Sequence, residues 1–188
     1  MIDCCSFGDR LVIAHFFNPA HIVPLVELVQ SEQTQAHIMP QLQELLAQCG
    51  KQAILLKRDI DGFIANRLQA AVLREAMYLL DEGIADAQDI DLAMTAGPGM
   101  RWAVNGPLQI ADFGGLDIWT RVSDRLFPEL NRVEEAPAWM REKVAQGQFG
   151  VKSGQGIYTY DDAEALKQAE QERERMFIHL LQQKQEQK

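Results

Sequence analysis

The chain is short of cysteine, of positive charge and of any long apolar run. It has three cysteines, with Cys4 and Cys5 adjacent and Cys49 on its own. No disulfide framework and no metal-ligand spacing can be built from that odd set, so free thiols in a reducing compartment are expected, and no metal site. Lys and Arg total 18 against 27 Asp and Glu, a formal net charge of −9. A surface of that sign repels phosphate backbones and anionic lipid, which argues against nucleic acid or a membrane surface as partner. No apolar run nears the roughly 20 residues that a membrane helix needs. The N-terminus has no basic stretch leading into an apolar core, so no signal peptide is read and a cytoplasmic protein is expected. Internal repeats are absent, and only the Gln/Glu/Lys-rich end is compositionally biased.

What remains is ordinary globular sequence, 188 residues with 47% hydrophobic and 24% charged. That length suits one domain, or part of one with a small second. The most informative stretch is Arg10 to Val29, RLVIAHFFNPAHIVPLVELV. Leu11 to Phe17 and Val23 to Val29 are rich in β-branched and aromatic residues, with Asn18-Pro19 and Pro24 as punctuation between them. Side chains alternate faces along a strand, so Leu11, Ile13, His15 and Phe17 share one face of the first segment, and Leu25, Glu27 and Val29 share one face of the second. If the segments pair antiparallel about a turn near His21, His15 lies opposite or diagonal to Glu27. A carboxylate beside an imidazole accepts one ring N–H and fixes the tautomer, leaving the other nitrogen free to exchange a proton with a substrate. The plainer alternative is a buried His–Glu hydrogen bond that only closes a sheet edge.

Helical spacing follows from Thr34 to Cys49 with Gly50 as the stop, then a short strand-like run from Lys51 to Lys57. The first sixty residues therefore read β-β-α-β, too few strands for a free-standing sheet covered on both faces. From Asp59 the pattern is helical throughout. Asp61 is a candidate N-cap for a helix ending at Gly83, and Asp86 opens another through Met94. Gly97-Pro98-Gly99 reads as a loop. Pro107 opens a helix to Gly114-Gly115, Leu116 to Leu126 forms the next, and Ala138 to Gln146 and Glu164 to Gln183 complete the set. Asp112 and Asp117 read as caps, and His21, His37 and His179 show no partner pattern.

The sequence also resembles a family. H-F-F-N-P followed by P-L-V-E-L-V, then Gly62 to Leu68 (GFIANRL), Gly99 to Pro107 (GMRWAVNGP) and Gly150 to Tyr160 (GVKSGQGIYTY), are similar in kind and order to the 3-hydroxyacyl-CoA dehydrogenases and their gulonate dehydrogenase/lambda-crystallin and carnitine dehydrogenase branches. The match is to the C-terminal part of the family pattern. The resemblance implies NAD as cofactor and oxidation of a 3-hydroxyl to a 3-keto group, in fatty-acid metabolism. His15 would be the catalytic acid/base, Glu27 its orienting carboxylate, and Asn66 the residue that hydrogen-bonds the substrate. Asn18 would make a cofactor contact and Arg101 would meet an anionic substrate group; a turn-forming asparagine and a structural arginine are the plainer readings of these two. The substrate would be a 3-hydroxyacyl-CoA or a related 3-hydroxy acid such as gulonate or carnitine, and a homodimer would form through the helical domain.

The G-x-G-x-x-G fingerprint of dinucleotide sites is absent from the sequence. The expected fold is accordingly mostly α. An all-helical C-terminal domain (60–188), binding substrate and dimerising, follows a short α/β remnant (1–59), the last strands of a truncated Rossmann-type sheet. A second functional reading remains beside the enzyme, a dimerising structural domain without catalysis.

Overall fold

The computed structural model describes residues 6–186; Cys4 and Cys5 lie outside them. Three strands form one sheet in the order β1-β2-β3, with β1 at Val12–Phe16, β2 at Leu25–Gln30 and β3 at Gln52–Leu56. β1 pairs antiparallel with β2, and β2 pairs parallel with β3. The parallel step needs a crossover, and helix α1 (Ile38–Gln48) supplies it. Pro40 sits in the first turn of α1, where its missing N–H costs nothing. Gly50, at φ 74°, ends the helix as Lys51 N–H bonds back to the Leu46 carbonyl at 2.8 Å.

Side-chain alternation divides the two faces of β2 between two tasks. Val26 and Leu28 pack with Met39 and Leu46 of α1, and Val12, Leu42 and Ala53 close around them. Glu27 and Val29 point to the other face. Both faces of β2 are buried, as its near-continuous apolar sequence requires. The fully buried Val26 and Leu28 each contribute about 1.5–3 kcal/mol by leaving water.

The chain divides into two compact units, Met1–Leu68 with Asp162–Lys188, and Gln69–Asp161. The first contains the sheet, α1, the start of α2 (Ala65–Asp81) and α8 (Ala163–Glu186). The second contains most of α2, then α3 (Ala87–Met94), α4 (Met100–Trp102), α5 (Pro107–Gly114), α6 (Leu116–Leu126) and α7 (Ala138–Ala145). Mostly α therefore holds, but the short α/β remnant is corrected. Every fully buried hydrophobic side chain among the described residues, from Ile22 to Leu56, belongs to the sheet-containing part. That segment builds its own core between β2 and α1.

Local details depart from the sequence reading in three places. α2 begins at Ala65, not at Asp61 or Phe63, because Gly62 and Phe63 adopt φ of 78° and 50° and form a turn. Gly97-Pro98-Gly99 is a kink and not a longer loop: Gly97 has non-helical dihedrals (φ −103°, ψ −106°), and Pro98 and Gly99 run directly into α4. Asp112 and Asp117 are not side-chain caps, since α6 follows Gly115 uncapped and Asp117 pairs with Arg121 one turn on. Asp86 does cap α3, accepting from Asp89 N–H at 2.9 Å.

The glycine-rich turn near the end of the second unit is explained by close backbone approach. Gly150 N–H donates to the Gln155 carbonyl and Gly156 N–H to the Tyr158 carbonyl, both at 2.8 Å. A Cβ on Gly156 would stand 2.6 Å from the Gly150 Cα. Tyr158 anchors the turn to α3 by donating its hydroxyl to Asp91 Oδ2 at 2.7 Å. That bond to a carboxylate raises the phenol's pKa to about 12.

Candidate acid/base site

The register of β1 against β2 sets His15 directly across from Glu27. Opposed residues on paired strands share a face, so both lie on the face turned away from α1. His15 Nδ1 and Glu27 Oε2 are 2.8 Å apart. Glu27 has no exposed surface, while the His15 side chain keeps 27% of its own. The pair is buried at its carboxylate end and open at its imidazole end.

Glu27 has a second set of partners. Its Oε1 accepts from the backbone N–H groups of Ile64 at 2.8 Å and Ala65 at 3.0 Å, which open α2. These are orphan donors of a helix N-terminus, and the carboxylate satisfies two of them while meeting the positive end of the helix dipole. Burial alone would push the Glu27 carboxyl up. The hydrogen bonds from His15, Ala65 and Ile64 and the charge of His15 together outweigh it, and hold the group below the usual carboxylate range. Glu27 is therefore ionised near neutrality and acts only as an acceptor, so His15 Nδ1 carries the proton that joins them. The other ring nitrogen, Nε2, is the one left to accept.

Two aromatic rings frame the imidazole. Phe63 stacks on it with centroids 4.9 Å apart and planes 28° apart, and Phe17 meets it edge-on at 6.4 Å and 90°. The turn beyond β1 carries Asn18, which is exposed, in a cis peptide with Pro19. Lys51 Nζ holds that turn by donating to the carbonyls of Ala20 at 2.5 Å and Val23 at 3.2 Å.

The structure thus joins His15 to Glu27, as strand alternation predicts. Asn66 follows Ala65, the second N–H anchored by Glu27, and is exposed in the first turn of α2. Arg101 belongs to the other unit, exposed on α4. Sequence reasoning missed Phe63, Lys51 and His21. His21, read as partnerless, faces Glu174 of α8 across 3.8 Å, both side chains being largely exposed. For Phe63 a signal was present, since it is the second residue of the GFIANRL stretch singled out in the sequence. No group of three or more metal-ligating side chains occurs among the described residues. Nor is any helix there long and apolar enough to cross a membrane.

Two family models match the chain. Residues 62–160 match the 3-hydroxyacyl-CoA dehydrogenase C-terminal domain, and residues 1–60 match the 3-hydroxyacyl-CoA dehydrogenase NAD binding domain. The second match also overturns the reading of the N-terminal segment as a mere remnant. A 3-hydroxyacyl-CoA dehydrogenase of Gibberella moniliformis is 33% identical, over 97% of this chain and 58% of its own length. An L-carnitine dehydrogenase of Streptomyces coelicolor is 43% identical, over 65% of this chain and 39% of its own. The crystal structure of 5-formyl-3-hydroxy-2-methylpyridine 4-carboxylic acid 5-dehydrogenase, an NAD+ dependent dismutase, superposes with a TM-score of 0.90 at 33% identity, covering 95% of this chain and 58% of that one. The chain spans about half the length of the curated relatives it matches.

The residues present fit the proton-transfer side of NAD-dependent chemistry: an imidazole that keeps 27% of its surface, its Nδ1 held by the buried Glu27 carboxylate.

Proposed function

We propose that this chain, which belongs to the 3-hydroxyacyl-CoA dehydrogenase family, carries the acid/base residues of an NAD-dependent oxidation of a 3-hydroxyl to a 3-keto group. The observation behind this reading is the 2.8 Å contact of His15 with a fully buried carboxylate whose other oxygen is tied to α2. NAD, when bound, supplies the acceptor for the hydride that leaves the substrate carbon. His15 Nε2 takes the hydroxyl proton as the carbon–oxygen bond becomes a carbonyl, and Glu27 stabilises the imidazolium that results. Asn66 donates its amide to the substrate oxygen or its neighbouring carbonyl. Asn18 contacts the cofactor, and Arg101 meets an anionic substrate group. Residues 60–188 are the substrate-binding and dimerising part.

The favoured substrate is a 3-hydroxyacyl-CoA, in fatty-acid metabolism, with carnitine and gulonate as the alternatives. NADH formation by the purified protein carrying this chain, with 3-hydroxybutyryl-CoA, L-carnitine and L-gulonate offered separately, tests this. Turnover of the thioester above the other two is expected, and turnover of none of the three contradicts the proposal.

A homodimer through the helical unit is supported by its exposed apolar side chains. Val104 is 80% exposed, Leu108 83% and Phe113 77%, and that unit contains no fully buried hydrophobic side chain among the described residues. Faces of that kind are characteristic of subunit contacts. The same observation favours the second reading, a dimerising domain without catalysis. A dimer in sedimentation with no turnover of any of these substrates would establish that reading in place of the first.

A further inference from the structure

We propose that Phe63 is a positioning residue for His15, and that the turn presenting it is locked by the carboxylate that fixes the imidazole's tautomer. The inference rests on the reading of His15 as the acid/base and deepens it. Phe63 is the one non-glycine residue at positive φ among the described residues, at 50°. An L side chain is disfavoured there and glycine is not, so a phenylalanine persists only where the surroundings over-determine it. Those surroundings are visible. Phe63 N–H closes a turn onto the Ile60 carbonyl at 3.0 Å, and the next two N–H groups are held by Glu27 Oε1. Fixed on both sides, the residue lays its ring on the imidazole at 4.9 Å and 28°.

Glu27 restrains His15 along one line, through Nδ1, about which the ring could still swing. A stacked phenyl removes that freedom, and Phe17 edge-on at 6.4 Å limits it from another direction. The imidazole is then held in one plane, with Nε2 turned away from the carboxylate that holds Nδ1. An aromatic that covers the ring's face leaves both nitrogens to their own partners, which an aliphatic or polar neighbour of similar volume would not reproduce in orientation.

The test uses three variants in the full protein, with two readouts. Phe63→Gly relieves the backbone and removes the ring, Phe63→Leu keeps apolar volume without the flat face, and Phe63→Tyr keeps the ring. Proton and nitrogen NMR of the His15 ring reports the stack independently of turnover, through the ring-current shift of its carbon-bound protons. The expected result is loss of that shift in the Gly and Leu variants and its retention in the Tyr variant. With it, kcat falls on the order of tenfold in the first two with KM little changed, and the Tyr variant restores kcat. His15 signals and kcat at wild-type values in Phe63→Gly would overturn the inference, because the residue would then matter only as backbone. His15→Asn separates the two layers: full activity in that variant defeats the acid/base reading, whereas the NMR shift judges the Phe63 stack by itself.

Discussion

His15 Nδ1 lies 2.8 Å from Glu27 Oε2, and the opposite oxygen of the same carboxylate caps the helix that leads into Asn66. One buried charge therefore ties a strand, an imidazole and a helix N-terminus together. A carboxylate suits this place because both of its oxygens accept.

Glu27→Gln follows from that geometry. An amide has one accepting oxygen, so its NH2 must face either two backbone N–H groups or the imidazole. Keeping the helix capped turns the NH2 toward His15 Nδ1, which must then accept, and the ring proton moves to Nε2. That is the wrong tautomer for a base. The variant is expected to fold with stability reduced by about 1–3 kcal/mol in urea unfolding, and to lose most of its kcat. A variant with unchanged turnover would rule out this account of the carboxylate.

Acid should destabilise the fold through the same residue. The folded pKa of Glu27 is depressed below its ordinary 4.5. Its contribution is present above the unfolded value and is lost as pH falls through the folded one. Unfolding midpoints measured from pH 6 downward should decline below about pH 4.5 more steeply in the wild-type protein than in Glu27→Gln, which has no carboxyl to protonate. Parallel curves would contradict the assignment.

The core between β2 and α1 is small, so single deletions should be costly. Leu28 is fully buried in it, and Leu28→Ala is expected to cost about 2–5 kcal/mol by chemical denaturation. A loss within about 0.5 kcal/mol would mean that the packing described here is not what holds the sheet.

In the second unit Gly156→Ala sets a Cβ at 2.6 Å from the Gly150 Cα, a backbone atom that cannot move aside as a side-chain tip can. The glycine turn should open and release the Tyr158 hydroxyl from Asp91. Alkaline titration by tyrosinate absorbance should then lose the component expected near 12 in the wild-type protein. If that component survives, the turn does not depend on the close approach.

Much of this was legible in the sequence, for reasons that differ by residue. The pairing of His15 with Glu27 follows from strand alternation and a proline-bounded turn, both local signals. The stops at Gly50 and Gly83 and the cap at Asp86 are also local. What stayed hidden depends on distant partners. The start of α2 is set by Glu27, 37 residues before Ile64, and no periodicity in residues 60–70 reveals that. The role of Lys51 depends on carbonyls 28 and 31 residues earlier. Three strands alone suggest a segment too small to stand, since a strand count says nothing of how tightly α1 closes over β2.

In the proposed reaction His15 moves the substrate's proton. The most direct measurement is NADH formation from the hydroxy substrate by wild-type protein and by His15→Asn, with thermal unfolding of both as a check on folding. The expected result is a fall in kcat of about 10²–10⁴-fold with folding retained. A folded His15→Asn variant that turns over at the wild-type rate would contradict it.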